Sequence, residues 1–300
     1  MSVVEKKLMT LPNKDWKVRQ AKPREVPEGL PRLHFLGLIA GSRGSGKTSA
    51  LITLVKAYDT TETFDYVYLF SPTYFNDPKY HILDNIKAEL IVKQDFETAD
   101  FAEIRKEIDG RIEDWKRWEE YKKIYARFKK HKGPVDKFDP YELMILYEHD
   151  FQPPDPDKYK NGAPTCLFIF DDLNYNKALY SNTSRDPNDP KKFFILHRHK
   201  LCSVLFLCQT YKSGLPKQLR NNLSLMLLFA NKSDAMKKEI AEELSSHVSP
   251  EDFVALWAHA CAQPHDFLMI DYDGPREQMF RRNFDTVLSV PRMFNGSEEK

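Results

Sequence analysis

Eight consecutive residues, Gly41-Ser42-Arg43-Gly44-Ser45-Gly46-Lys47-Thr48, match the spacing GxxxxGK[ST], and phosphate chemistry explains each position. Gly41, Gly44 and Gly46 let the backbone wrap close to phosphate oxygens with N–H groups turned inward. Ser42, Arg43 and Ser45 complete the loop. Lys47 supplies a charge to the β- and γ-phosphates, and the Thr48 hydroxyl is a ligand for Mg²⁺. A glycine-rich surface turn would satisfy the same letters. It would not need a hydrophobic strand directly before it and a helix, opening at Thr48, directly after.

A second acidic motif lies about 120 residues on, in Cys166-Leu-Phe-Ile-Phe170-Asp171-Asp172. This reads as a buried strand ending in two carboxylates. If the strand neighbours the phosphate loop, Asp171 holds the water shell of the Mg²⁺ and Asp172 orients or deprotonates the attacking water. Asp172 is one methylene shorter than a glutamate would be at that position. A third strand, Leu201–Cys208, ends in Gln209-Thr210. Gln209 falls at the carboxyl end of a core strand, the edge where ligands bind in such sheets, and its amide can read the γ-phosphate or the attacking water.

The elements that must position these groups form an α/β pattern. Leu33–Ala40, Tyr66–Phe70, Cys166–Phe170 and Leu201–Cys208 read as buried strands of a mostly parallel sheet, covered by helices on both faces. Leu223–Ala230 and Phe267–Asp271 extend it, and helical stretches fall at Thr48–Tyr58 and Pro190–Lys200. Between 100 and 132, Ile104, Ile108, Ile112, Trp115, Trp118, Tyr121, Tyr125 and Phe128 recur at spacings of three and four, which predicts one long amphipathic helix ended by Gly133-Pro134. With the Pro-rich loop that follows, it forms an insert at about 100–160. The domain reading is thus an extended basic arm over 1–31, a P-loop NTPase domain of the RecA/ASCE type over 32–290, and a flexible tail over 291–300.

The chain has 300 residues and a net charge of +1, which excludes a wholly basic nucleic-acid coat and an acidic tail protein. Leu223–Ala230, among the longest apolar runs, falls far short of the ~18 residues a membrane span needs, and the first residues lack the apolar stretch of a signal peptide. Cys166, Cys202, Cys208 and Cys261 show no CxxC spacing, so neither a disulfide framework nor a zinc site is expected, and a reduced intracellular setting is. The near-neutral total conceals three basic segments: the arm, the 102–132 helix, and Pro190–Ser233, which holds eight Lys/Arg and no acid. In that block Lys191, Lys192, Lys212 and Lys217 are candidates for DNA phosphates. Arg198 and Arg220 are candidate arginine fingers for a nucleotide on a neighbouring subunit.

Taken together, Gly41–Thr48, Leu167–Asp172, the Arg198–Gln209 strand with its Thr-Tyr extension, and Leu215-Pro-Lys-Gln-Leu-Arg220-Asn-Asn resemble the genome-packaging ATPases of large eukaryotic DNA viruses and virophages, in the FtsK–HerA superfamily. Order and spacing agree from about Leu33 to Phe284, apart from the insert. The resemblance implies a pentameric or hexameric homo-oligomeric ring that hydrolyses ATP with Mg²⁺ and drives double-stranded DNA into a preformed capsid. Its partners would be capsid vertex or portal proteins, and its place the host cytoplasm or a viral assembly site. Lys47, Thr48, Asp171, Asp172 and Gln209 match motif positions. Arg198, Arg220 and Arg43 all remain open as the finger; Arg43 stands where terminase-type motors carry an arginine acting within its own subunit. A P-loop kinase or small-molecule NTPase, and a structural virion protein that binds nucleotide, are the competing readings.

Overall fold

A computed structural model describes residues 24–130, 137–180, 189–212, 214–231 and 233–290. The strands are β1 (Leu36–Ala40), β2 (Tyr66–Phe70), β3 (Glu89–Lys93), β4 (Cys166–Asp171), β5 (Cys202–Cys208), β6 (Leu225–Phe229), β7 (Phe267–Asp271), β8 (Phe280–Arg282) and β9 (Thr286–Val287). The helices are α1 (Lys47–Thr60), α2 (Thr98–Lys130), α3 (Pro140–Glu148), α4 (Lys177–Tyr180), α5 (Pro190–Ile195), α6 (Lys217–Arg220), α7 (Asp234–Glu243) and α8 (Pro250–Ala260).

All nine strands join one sheet in the order β3-β2-β4-β5-β1-β6-β7-β8-β9. The first six in that order are mutually parallel, and β7, β8 and β9 close the far edge antiparallel. Each inner strand sends alternate side chains to opposite faces, and both faces are buried. Leu38, Phe70, Phe170, Phe206 and Leu228 join a core with α2, α5, α7 and α8, whereas Ile39, Leu69, Ile169, Leu207 and Phe229 join a second core with α1. Continuous apolar runs follow from this double burial. Across β2, β4 and β5 the parallel register stacks rings directly: Phe70 on Phe170 at 5.0 Å and Phe170 on Phe206 at 5.0 Å. Such pairs add about 0.5–1.5 kcal/mol each beyond burial.

Several expectations are corrected. β4 does not neighbour β1, because β5 lies between them. Three strands were not anticipated: the half-buried β3 and the short pair β8 and β9. The expected helix at 190–200 stops at Ile195 and resumes as a tighter 3₁₀ turn over His197–Lys200. There the buried His197 ring lies with Nδ1 2.6 Å from the Phe194 carbonyl and Nε2 3.1 Å from the His34 carbonyl, and the neutral ring donates to one of the two. Residues 24–31 are not a free arm. The Arg24 guanidinium is buried against Asp65 at 2.6 Å, and Val26 and Leu30 pack on the α1 core. The rest of the arm, the Gly133-Pro134 stop and the 291–300 tail lie outside the described residues. Among the described residues no helix is long and apolar enough to cross a membrane.

The long helix forms as expected, but it serves two cores. Phe101, Ile104, Ile108 and Ile112 belong to the main core, and Trp118, Tyr121 and Ile124 build a satellite cluster with Ile145 and Leu146 of α3. Cutting at residue 100 would therefore strip the sheet itself. Ile108→Ala is expected to cost about 2–4 kcal/mol and to shift the main urea transition. Ile124→Ala, in the satellite cluster, is expected to loosen the α2–α3 hairpin while leaving that transition in place, as hydrogen exchange at single-residue resolution would report.

Candidate active site

The phosphate loop turns where β1 gives way to α1. Its first amide, that of Gly41, donates to the Cys208 carbonyl at the end of β5, 3.2 Å away. A side chain at Gly41 would place Cβ 2.6 Å from Ser45 Oγ and 2.7 Å from Phe229 Cβ, so no larger residue fits there. Gly46 adopts φ 110° at the N-cap of α1, a conformation that favours glycine. The loop is thus wrapped as tightly as a phosphate cradle requires. Lys47 Nζ bonds to the carbonyls of Gly41 at 2.8 Å and Ser42 at 3.1 Å. Burial lowers the Lys47 pKa, and the Asp172 and Asp171 carboxylates oppose that shift.

A cleft of ≈ 620 Å³ opens over this loop, lined by Arg43–Ser49, Asp171, Asp172 and Gln209. The expected set therefore converges, despite the strand between β1 and β4. Gln209 Nε2 donates to Asp172 Oδ1 at 3.3 Å, joining the ends of β5 and β4. Asp172 itself takes a left-handed φ of 51°, a strained conformation for a residue with a side chain.

Asp171 is buried, and one of its oxygens, Oδ2, accepts from Tyr80 at 2.5 Å, Ser71 at 3.1 Å and Thr73 at 3.5 Å. Burial pushes its pKa above the usual carboxylate range; Tyr80 pulls it down, Asp172 pushes it up, and Ser71 and Lys47 pull it down. These hydroxyls come from the β2–β3 connection, which also brings Asn76, Asp77 and Lys79 to the cleft. Ser71 and Thr73 follow the carboxyl end of a core strand, so the strand-end rule that flags Gln209 flags them too. Nothing in the sequence flags Tyr80, or His265 before β7, whose Nδ1 lies 3.2 Å from the Ser45 carbonyl.

The candidate arginines separate. Arg43 lines the chain's own cleft, exposed. Arg220 has a side chain only 8% exposed, 3.4 Å from Glu243 and bonded to the carbonyls of Lys212 and Leu215. Arg198 lies at the opposite end of β5 from Gln209, about 20 Å away at ~3.3 Å per residue. Its side chain is 53% exposed and pairs with Asp273 at 2.8 Å.

The acid-free block is not acid-free in space. Lys191 pairs with Asp189, Arg198 with Asp273, Lys200 with Asp109, Lys212 with Glu239 and Arg220 with Glu243. Lys191 is buried, which removes it from the candidate DNA contacts; Lys192 and Lys217 are exposed.

No family model and no curated protein matches the chain. Among solved structures it is similar to the genome packaging NTPase B204 from Sulfolobus turreted icosahedral virus 2 in complex with AMP, at 11% identity and a TM-score of 0.45, over 85% of this chain and 98% of that one. It is similar also to the cytoplasmic domain of the Thermomonospora curvata type VII secretion ATPase EccC, at 16% identity and a TM-score of 0.42, over 85% of this chain and 26% of that one. A third is the pCW3 conjugation coupling protein TcpA, at 9% identity and a TM-score of 0.41, over 85% and 61%. Likeness at this level adds nothing to what the sheet order and the cleft establish for this chain.

Because burial disfavours the charged form of Asp171, Asp171→Asn, which keeps an acceptor for Tyr80, is expected to melt at a higher temperature than the parent at neutral pH without divalent metal. Calorimetry checks the shift.

Proposed function

We propose that this chain is an ATP-hydrolysing translocase that packages double-stranded DNA into a viral capsid. The observation that carries the hydrolytic part is the convergence of the phosphate loop, Asp171, Asp172 and Gln209 on one cleft at the carboxyl edge of the sheet. The DNA and packaging part rests on the motif resemblance over Gly41–Thr48, Leu167–Asp172, Arg198–Gln209 and Leu215–Asn222.

The residues fit a magnesium nucleotide. The loop has no room for a Cβ at Gly41, and a hydroxyl and a carboxylate, from Thr48 and Asp171, are the hard oxygen donors that Mg²⁺ prefers. Bound there, the metal would neutralise charge on the phosphates. Lys47 would leave its loop carbonyls for the β- and γ-oxygens. Asp172 would accept a proton from the attacking water, with Gln209 fixing the carboxylate that accepts it.

Cleft and Arg198 lie at opposite edges of the sheet, which suits a head-to-tail ring in which one edge faces the next subunit's other edge. Arg198 has only a surface ion pair to give up, worth about 0–1 kcal/mol, whereas Arg220 is held by a carboxylate and two carbonyls. Arg198 is therefore our choice of finger in trans, and Arg220 a residue that ties α6 to α7.

ATP hydrolysis measured with and without long duplex DNA tests the whole. Stimulation by DNA is expected, falling steeply as salt rises, and Lys47→Ala is expected to abolish turnover. Hydrolysis that persists in Lys47→Ala sinks the site; turnover indifferent to DNA sinks the translocase and leaves an NTPase. Arg198→Ala is expected to cut turnover by about 10³-fold or more with nucleotide affinity intact. Arg220→Ala is expected to lower thermal stability first.

A further inference from the structure

The Asp171 carboxylate is held asymmetrically. Tyr80, Ser71 and Thr73 all approach Oδ2, and none of them takes Oδ1. Tyr80 makes the shortest of the three bonds, at 2.5 Å, and both groups are buried. Thr48, the other group that the proposed function gives to the metal, lines the same cleft as Asp171.

Tyr80 belongs to neither motif. It sits in the 3₁₀ segment Pro78–Asn85 of the β2–β3 connection, with its ring against Tyr74 at 5.5 Å and burial among the α1 core residues. Burial pushes its pKa well above the ordinary phenol value, with Asp171 adding to the shift, so it remains a donor at any working pH.

We propose that Tyr80 is a positioning residue for the divalent metal: its hydroxyl pins Oδ2 of Asp171 and leaves Oδ1 for the metal. This rests on the reading of the cleft as a magnesium-nucleotide site. Partners of this kind beyond the direct ligands orient the ligands, and their loss typically costs 10–100-fold in metal affinity. A tyrosine that merely filled space would contribute through its ring alone.

The test compares the full-length parent with Tyr80→Phe, which keeps the ring, and with Ser71→Ala, which removes a second donor to the same oxygen. Mn²⁺ is titrated in the presence of ADP and followed by electron paramagnetic resonance; ADP affinity in EDTA is measured in parallel. The expected result for Tyr80→Phe is Mn²⁺ affinity about 10-fold or more weaker. Its ADP affinity in EDTA is expected within about two-fold of the parent, and Ser71→Ala is expected to shift Mn²⁺ affinity less, in the same direction. Mn²⁺ affinity unchanged in both variants overturns the proposal. Equal losses of Mn²⁺ and metal-free ADP binding also overturn it, since they would mark a general collapse of the cleft. Should Tyr80→Phe fail to fold, an unchanged Mn²⁺ affinity in Ser71→Ala overturns the proposal and a weakened one supports it. A parent that binds no Mn²⁺ with ADP would instead overturn the magnesium-nucleotide reading.

Discussion

Everything at the site depends on the register of three parallel strands. Asp171 pairs with Leu207 across β4 and β5, and Ala40 pairs with Cys208 across β5 and β1. One hydrogen-bond ladder therefore brings the ends of all three strands to the same height. A slip of one residue in either pairing would turn Asp171 or the Gly41 turn to the wrong face of the sheet. The stacked rings of Phe70, Phe170 and Phe206 and the double burial of every central residue make such a slip costly. Catalytic geometry is here a by-product of core packing: aromatic residues that never meet a ligand determine where the carboxylates stand.

The same edge gathers what packing alone would avoid. Asp171 is buried, and burial pushes its pKa up while Tyr80, Ser71 and Lys47 pull it down. Asp172 holds a left-handed backbone conformation without being glycine, and Lys47 is partly desolvated against two loop carbonyls. Each feature costs stability in the free protein. On the proposed function two of the three would be relieved by a ligand of the right charge: phosphate oxygens for Lys47 and a divalent cation for Asp171.

How much of this the sequence discloses depends on whether the information is local. The phosphate loop is fully legible, because a strand, eight residues and a helix start are contiguous. The Asp171-Asp172 pair and Gln209 are legible as strand ends, although the intervening position of β5 is not, since strand order is a property of crossovers rather than of any one segment. Tyr80 and His265 are illegible: their roles come from long-range proximity, to Asp171 91 residues away and to Ser45 220 residues away. The 100–132 helix falls between these cases. Its stripe predicts the helix correctly but says nothing of the division at about Ile112, where the partner changes from the sheet to α3.

Charge shows the same limit with a consequence for DNA. An acid-free stretch suggests a basic surface, yet among the described residues at least five of the block's seven cations meet acids from outside it, Asp109, Asp189, Glu239, Glu243 and Asp273. The exposed pairs among them are worth little individually, but all five remove net positive potential from the surface around them. On the proposed function, the block's electrostatic grip on a duplex would be correspondingly narrow, with Lys217 among the exposed cations that it offers. On the proposed packaging function, a ring of five or six copies would multiply the few phosphate contacts of each subunit, and their total number, rather than the net charge of one copy, would set the steepness of the salt dependence.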